Sequence, residues 1–185
     1  MILKQLKYKN EEPHEENVWI IDPIDGTTNF LHGVPHFAIS IALKYKNEIV
    51  SGLVYDPIKN EMFYAEKNNG AYLNNQRIKV SHKKKIDNCL FATGGNNLEE
   101  IKFKQNITIR KTGSAALDLA YVAAGKFDGY FQKNLNIWDI ASGIILVKEA
   151  GGIINDIDIN KYEIEKVIAS SSEINEKMIQ NLINF

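Results

Sequence analysis

Apolar positions fall in two textures along this chain. Residues 18–21, Val-Trp-Ile-Ile, form a short continuous run of β-branched and aromatic side chains, the signature of a buried strand. Asp22-Pro23 reads as its stop, because proline has no N–H to give to a ladder. From residue 37 the pattern changes to alternation. Residues 37–45, 49–55 and 61–66 read as successive strands, turned at Lys46-Asn47-Glu48 and over 56–60. Asn68-Asn69-Gly70 and Asn74-Asn75 bracket two shorter strands, 71–73 and 77–80, and the whole predicts an antiparallel meander.

The second half has helical periodicity between short apolar runs. An apolar run over 88–92 opens it, followed by a loop over 93–97 and room for a two-turn helix over 98–105. A strand over 107–110 precedes a helix over 115–124. There Leu117, Ala120, Tyr121 and Ala124 recur at i, i+3, i+4 and i+7, the stripe of a helix buried on one face, with Gly125 as its C-terminal cap. A strand over 129–132 leads to a helix that opens at Trp138 and closes at Gly151-Gly152. Strands over 153–157 and 167–170 and a terminal helix over 172–182, begun by a serine cap at Ser172, complete the chain. Strands alternating with helices predict layered α/β packing. The chain thus divides into an antiparallel-sheet half, 1–86, and an α/β half, 87–185, with a cleft expected at their junction.

With 185 residues and a net charge of −1, the chain suits one large domain or two small subdomains and has no strong electrostatic commitment to nucleic acid or anionic lipid. No apolar run approaches the ~20 residues that cross a bilayer, and Met1 to Lys7 lacks the apolar core of a secretory signal. Cys89, the one cysteine, sits in an apolar run and is expected in the core. A cytoplasmic location is the expectation. Glu11, Glu12, Glu15 and Glu16 read as a solvated loop, His82-Lys83-Lys84-Lys85 as a solvated linker, and His32 and His36 as surface or packing residues.

The chemistry lies in the stretch after the first strand. Asp22 and Asp25 stand at i, i+3 across a tight turn, and Gly26-Thr27-Thr28 follows, where a glycine lets backbone approach a ligand closely. Carboxylates beside an anion-binding loop make sense only with cations between them. The plainer alternative is that Asp25 caps a short helix beginning near Thr27. Asp139, near the start of a later helix, has the same two readings: metal ligand or helix cap.

Trp19-Ile20-Ile21-Asp22-Pro23-Ile24-Asp25-Gly26-Thr27-Thr28-Asn29-Phe30 resembles the first signature of the inositol monophosphatase family. Trp138-Asp139-Ile140-Ala141-Ser142-Gly143, running on to Glu149-Ala150-Gly151-Gly152, resembles the second. The resemblance implies an αβαβα sandwich lacking the family's N-terminal helical segment. It also implies Mg²⁺-dependent hydrolysis of a small phosphate monoester, an inositol monophosphate or similar polyol phosphate. Asp22, Asp25, Asp139 and the Ile24 carbonyl would hold the metal, with Asp25 and Thr27 catalytic and the Thr27 hydroxyl orienting the attacking water. Gly26 and Thr27 would give backbone N–H groups to the phosphate, and Ala115 a backbone contact to the substrate alcohol. Gln132 falls where many members have a glutamate that binds substrate hydroxyls. Where the family has a Glu-Glu pair that supplies a metal ligand, this chain has Lys4-Gln5. The resemblance further implies a homodimer, and the short apolar runs and near-zero charge argue against membrane and direct nucleic-acid binding. A transcription-machinery protein is a possible partner on the same ground. The alternative it leaves is a catalytically impaired remnant that acts as a binding or regulatory protein.

Overall fold

The alternating stretch folds into a six-stranded antiparallel sheet in chain order: β1 (Asn17–Asp25), β2 (Ala38–Tyr45), β3 (Glu48–Asp56), β4 (Glu61–Glu66), β5 (Gly70–Leu73) and β6 (Gln76–Ile78). The structure is a computed structural model that describes residues 17–95, 102–104, 107–183 and 185. Its tight turns place Lys46, Asn60, Asn68, Asn74 and Asn75 at positive φ, a conformation that asparagine tolerates better than most residues. Asp22-Pro23 does not end β1 as the sequence reading expects. The ladder pairs Asp22 with Ser40 and then Asp25 with Ala38, so Pro23 and Ile24 fall in a bulge. Because β1 is an edge strand, the missing proline N–H removes no ladder bond.

The second sheet is mixed. β7 (Leu90–Thr93), β9 (Thr108–Lys111), β10 (Gly129–Asn136), β11 (Gly152–Ile154) and β12 (Glu163–Ser171) lie in the order β11-β12-β10-β7-β9. β7 runs parallel to both β10 and β9, and β12 runs antiparallel to β10 and β11. β10 and β12 are longer than their apolar runs predict, since their ends pair through polar residues such as Lys133 and Lys166. A small pair joins β8 (Lys102–Phe103) to β13 (Leu182–Ile183). Lys102 and Phe103 are therefore strand where a helix was expected; 98–101 and 105 lie outside the described residues, as do Lys4-Gln5 and the Glu11 to Glu16 cluster.

Among the described residues four α-helices complete the fold: α1 (Thr27–Leu31), α2 (Ala115–Ala123), α3 (Ile137–Glu149) and α4 (Asn175–Asn181). α2 and α3 pack on each other between the two sheets, α3 against β1 to β5 and α2 against β7, β10 and β12. This placement corrects the one-faced stripe expected for α2, in which every residue is buried. α3 lies so close to β3 that a Cβ on Gly52 would come within 2.9 Å of the Ser142 backbone. Ile20, Ala42, Val54, Phe63, Ala65 and Ala71 of the first sheet face this helix layer. Beyond the second sheet, a smaller core of Ile86, Cys89, Phe91, Phe131, Ile168, Ile174 and Met178 sits under α4. Cys89 is buried there, as expected. α4 begins after Ile174 with no side-chain cap, so Ser172 is not the serine cap the sequence suggested. The layers run sheet, helix pair, sheet, helix. Among the described residues no helix is long and apolar enough to cross a membrane.

Candidate active site

Asp22 and Asp25, on either side of the β1 bulge, meet Asp139 from the first turn of α3. One carboxylate oxygen from each lies within 4.8 Å of the others. The site is built from both sheets' territory, because α3 follows β10 of the second sheet and packs against β1 of the first.

Each carboxylate is held by one oxygen. Asp22 Oδ1 accepts the Ile24 N–H at 3.0 Å, closing a turn across Pro23. Asp25 Oδ2 accepts the Ser114 hydroxyl in a short hydrogen bond and the Ala116 N–H at 2.9 Å. Ser114 is the N-cap of α2, where its oxygen accepts the Leu117 N–H, so one side chain caps a helix and grips Asp25. Asp139 Oδ2 accepts the Asn136 N–H at 2.8 Å as part of a capping box. Asp139 thus closes the capping box of α3 and also joins the acidic cluster. Asp25 does not cap α1, whose N-cap is Gly26 with no side-chain bond.

The charged state of this cluster is costly. Burial pushes Asp25 up to about 7, offset in part by Ser114 and Ala116 and raised further by the charges of Asp139 and Asp22. Burial likewise pushes Asp139 up to about 6, against the Asn136 N–H, with Asp22 adding to the rise. Asp22 is raised by burial as well, despite its bond from Ile24. Asp22 and Asp139 lie within hydrogen-bonding reach of each other, so without a cation they compete for a proton. An all-oxygen cluster of this kind fits a hard divalent cation, which would replace that proton.

The loop beside the cluster is tightly clamped. Gly26 has φ of 86°, and a Cβ there would meet the carbonyls of His36 at 3.1 Å and Gly113 at 3.2 Å. Asn29 Nδ2 donates to the carbonyls of His36 at 2.8 Å and Thr112 at 2.9 Å, tying α1 to the segment that enters α2. The Thr112 hydroxyl donates in turn to buried Asp118 at 2.6 Å. Exposed Thr27 donates its hydroxyl to the Ile24 carbonyl at 2.8 Å. Ala115 is the first residue of α2, between Ser114 and Ala116. Gln132 lies on β10, where its Oε1 accepts the Tyr130 hydroxyl. The structure therefore gathers Asp22, Ile24, Asp25, Gly26, Thr27 and Asp139 with Ala115 adjacent, and sets Gln132 behind Tyr130. His36 packs edge-on against Tyr121 and His32 caps α1, neither in the acidic cluster.

Sequence reasoning missed Ser114, Asn29 and Asp118. A serine three residues before Leu117 carries a helix-start signal, yet nothing local says that it also serves an aspartate far upstream. Asn29 likewise reaches Thr112, 83 positions away, whereas Asp118 meets Thr112 only six residues upstream, a local contact with no motif to announce it.

A family model described as the inositol monophosphatase family matches residues 2–184. The chain belongs to the inositol monophosphatase family. An inositol-1-monophosphatase of Caulobacter vibrioides is 38% identical over 93% of this chain and 73% of its own length. A protein of Pseudomonas aeruginosa named Nus factor SuhB is 44% identical over 80% of this chain and 60% of its own. The extragenic suppressor protein SuhB from Bartonella henselae superposes with a TM-score of 0.81 at 44% identity, covering 90% of this chain and 73% of that one. This family member spans between 57% and 73% of the length of the curated relatives that it matches.

Proposed function

We propose that this chain hydrolyses a small phosphate monoester with a divalent cation held by Asp22, Asp25 and Asp139. The observation that carries the reading is the meeting of those three carboxylates, one oxygen each free of the bonds that anchor them. Magnesium is the cation we assign, since it takes oxygen ligands in an octahedron and keeps open positions for phosphate and water. When bound it would supply Lewis acidity that neutralises charge on the phosphoryl oxygens. The Ile24 carbonyl, which uses one lone pair on Thr27, has a second to offer such an ion.

The remaining work falls to the chain's own groups. Because Thr27 donates its proton to Ile24, it offers only lone pairs to the cleft; a water there must point a hydrogen at it, which fixes the water's orientation. The backbone N–H groups of Gly26 and Thr27 follow Asp25 directly and are assigned to the phosphate, and the Ala115 backbone to the substrate alcohol. A small polyol phosphate such as inositol 1-phosphate is the substrate class we assign. The relatives named inositol-1-monophosphatase support that class. The reading includes a cytoplasmic homodimer. Its support is the exposed outer face of the six-stranded sheet, where Trp19 is 58% exposed. Mass by light scattering tests that part.

The deciding experiment is release of phosphate from inositol 1-phosphate by the full chain with excess MgCl₂, beside Asp139→Asn. Release by wild type and loss in the variant are expected. No release by wild type at millimolar Mg²⁺ overturns the reading. A second reading, a regulatory protein that binds transcription machinery, is favoured by the relatives named Nus factor SuhB. It takes precedence if the fold binds Mg²⁺ without turnover.

A further inference from the structure

The segment 79–82, between the two sheets, belongs to no strand, yet its backbone is fixed. The Val80 N–H donates to the Ala150 carbonyl at 3.1 Å. Two glycines press on it: a Cβ on Gly125 would fall 3.1 Å from the Lys79 carbonyl oxygen, and one on Gly152 2.8 Å from Val80 Cγ1. Val80 is buried while Lys79 and His82 are exposed, so polar side chains project from backbone that is already ordered. Arg77, in β6, is braced as well. Its Nη2, Nε and Cζ would lie 2.9 to 3.1 Å from a Cβ on Gly70, so the guanidinium lies flat on bare backbone.

Arg77, Lys79, Ser81 and His82, with Glu149 and Gly151 from the end of α3, line a groove of about 310 Å³. Its donors are unmet. Among the described residues, the side chains of Arg77, Lys79 and His82 make no hydrogen bond and pair with no carboxylate. Ser81 Oγ accepts the Lys83 N–H at 3.2 Å, which leaves its own proton to give. The acceptors, by contrast, are taken. Glu149 receives the Asn68 and Gly70 N–H groups at 2.8 Å, one on each oxygen. At the end of α3 the carbonyls of Leu146, Lys148 and Ala150 accept from Ala150, Gly151 and Val80. Glu149 and the C-terminal end of α3 offset part of the Arg77 and Lys79 charge, so the unmet donors, more than net charge, define the ligand. The two lysines after His82 turn to other partners. Lys83 donates to Asp128 at 2.9 Å and Lys84 faces Glu173 at 4.0 Å, so neither extends the groove into a longer basic track.

We infer that this groove is a second ligand site, which binds a small phosphorylated molecule through Arg77, Lys79, Ser81 and His82. Arg77 supplies a planar fork that matches two phosphate oxygens at once, Lys79 a point charge, and Ser81 and His82 single donors. The groove is separate from the acidic cluster. Asp139 lies in the first turn of α3 and Glu149 ends it, a span of about 15 Å at 1.5 Å per residue. The site stands whether or not the acidic cluster hydrolyses phosphate esters.

Inorganic pyrophosphate is a compact probe with oxygens enough for four donor side chains. The full chain is titrated with it in EDTA at low ionic strength, followed by calorimetry and heteronuclear NMR. Without a cation the three aspartates repel anions, so their cleft does not compete. Saturable binding is expected, with shifts centred on the amides of Lys79 to His82 and of Gly151. Arg77→Ala combined with Lys79→Ala should weaken binding by at least about tenfold, and Arg77→Lys, which keeps the charge and loses the fork, by about threefold. All three substitutions are at exposed side chains, and an unchanged Tm shows that the variants fold. No saturation below about 20 mM, shifts confined to Gly26–Thr28, or an affinity changed less than about twofold in the double variant overturns the inference. So does a single-stranded oligonucleotide that binds more tightly than pyrophosphate and loses that affinity in the double variant, since the surface would then be a nucleic-acid contact.

Discussion

Ser114 and Asp25 stand 89 positions apart in the chain, yet the serine hydroxyl donates to the aspartate's Oδ2 while its oxygen caps α2. The bond fastens the β1 bulge of the first sheet to a helix of the layer behind it. Ser114→Ala removes a helix cap, worth roughly 0.5–2 kcal/mol, together with a hydrogen bond to an ionisable group. Urea denaturation should show a loss of about 2 kcal/mol, and the Mg²⁺ concentration for half-maximal stabilisation should rise. An unchanged metal response would mean that Asp25 is placed by other contacts.

Metal binding should register as stability. Wild type is expected to gain ~1–2 kcal/mol at several multiples of a millimolar-range Kd, following RT ln(1 + [L]/Kd). Asp25→Asn should abolish the Mg²⁺-dependent rise in Tm, and raise the metal-free Tm by removing a buried charge that repels its neighbours. Differential scanning calorimetry with and without Mg²⁺ checks both. A wild type unresponsive up to tens of millimolar Mg²⁺ contradicts the metal assignment.

The same repulsion gives metal-free protein a pH dependence of defined sign. Asp25 and Asp139 titrate at about 7 and about 6 in the folded chain, against about 3.9 for an unfolded aspartate. Between these values the folded state holds more protons than the unfolded state, so stability falls as pH rises. This contribution is full below about pH 4 and is lost as pH climbs through 6 and 7. The urea midpoint in EDTA should accordingly drop between pH 5 and pH 8, and saturating Mg²⁺ should flatten the decline. A rising midpoint in EDTA would show that the cluster is not repulsive.

Gly26→Ala should damage the loop more than its size suggests. The residue adopts φ of 86°, which costs a non-glycine residue roughly 1–2 kcal/mol, and the added methyl would press on the carbonyls of His36 and Gly113. A loss of about 2 kcal/mol in denaturation is expected, with turnover reduced further because Thr27 moves with the loop. Thr27→Ala should lower kcat by about a hundredfold while Thr27→Ser restores most of it, since only the hydroxyl positions the water. Equal rates in both variants would remove that role.

The strands of the first sheet were legible because alternation and asparagine-rich turns are local signals, and 61–66 matches β4 residue for residue. The two signature stretches likewise carried the three aspartates now found together. The failures have a common physical source. Pro23 looked like a strand stop because the sequence does not say that β1 is an edge. α2 looked one-faced because only the packed layers reveal a helix between two sheets. Ser172 looked like a cap, but the chain turns between Ser171 and Ile174 before α4 begins. Ser114 was invisible as a site residue because its partner is far away in sequence. Each error concerns what lies on the other side of an element, which local pattern does not encode.

The anchoring of the three carboxylates also bears on how each would meet a cation. Asp22, Asp25 and Asp139 each commit one oxygen to backbone or side-chain donors of the chain itself. Each keeps its other oxygen clear of those bonds for the cation we propose. Calcium commonly takes both oxygens of a carboxylate and seven or so ligands, whereas magnesium accepts single oxygens at the corners of an octahedron. On that proposal, single-oxygen ligation would favour the smaller of two ions of equal charge. Three such ligands would leave about half of an octahedral shell for water and phosphate to share.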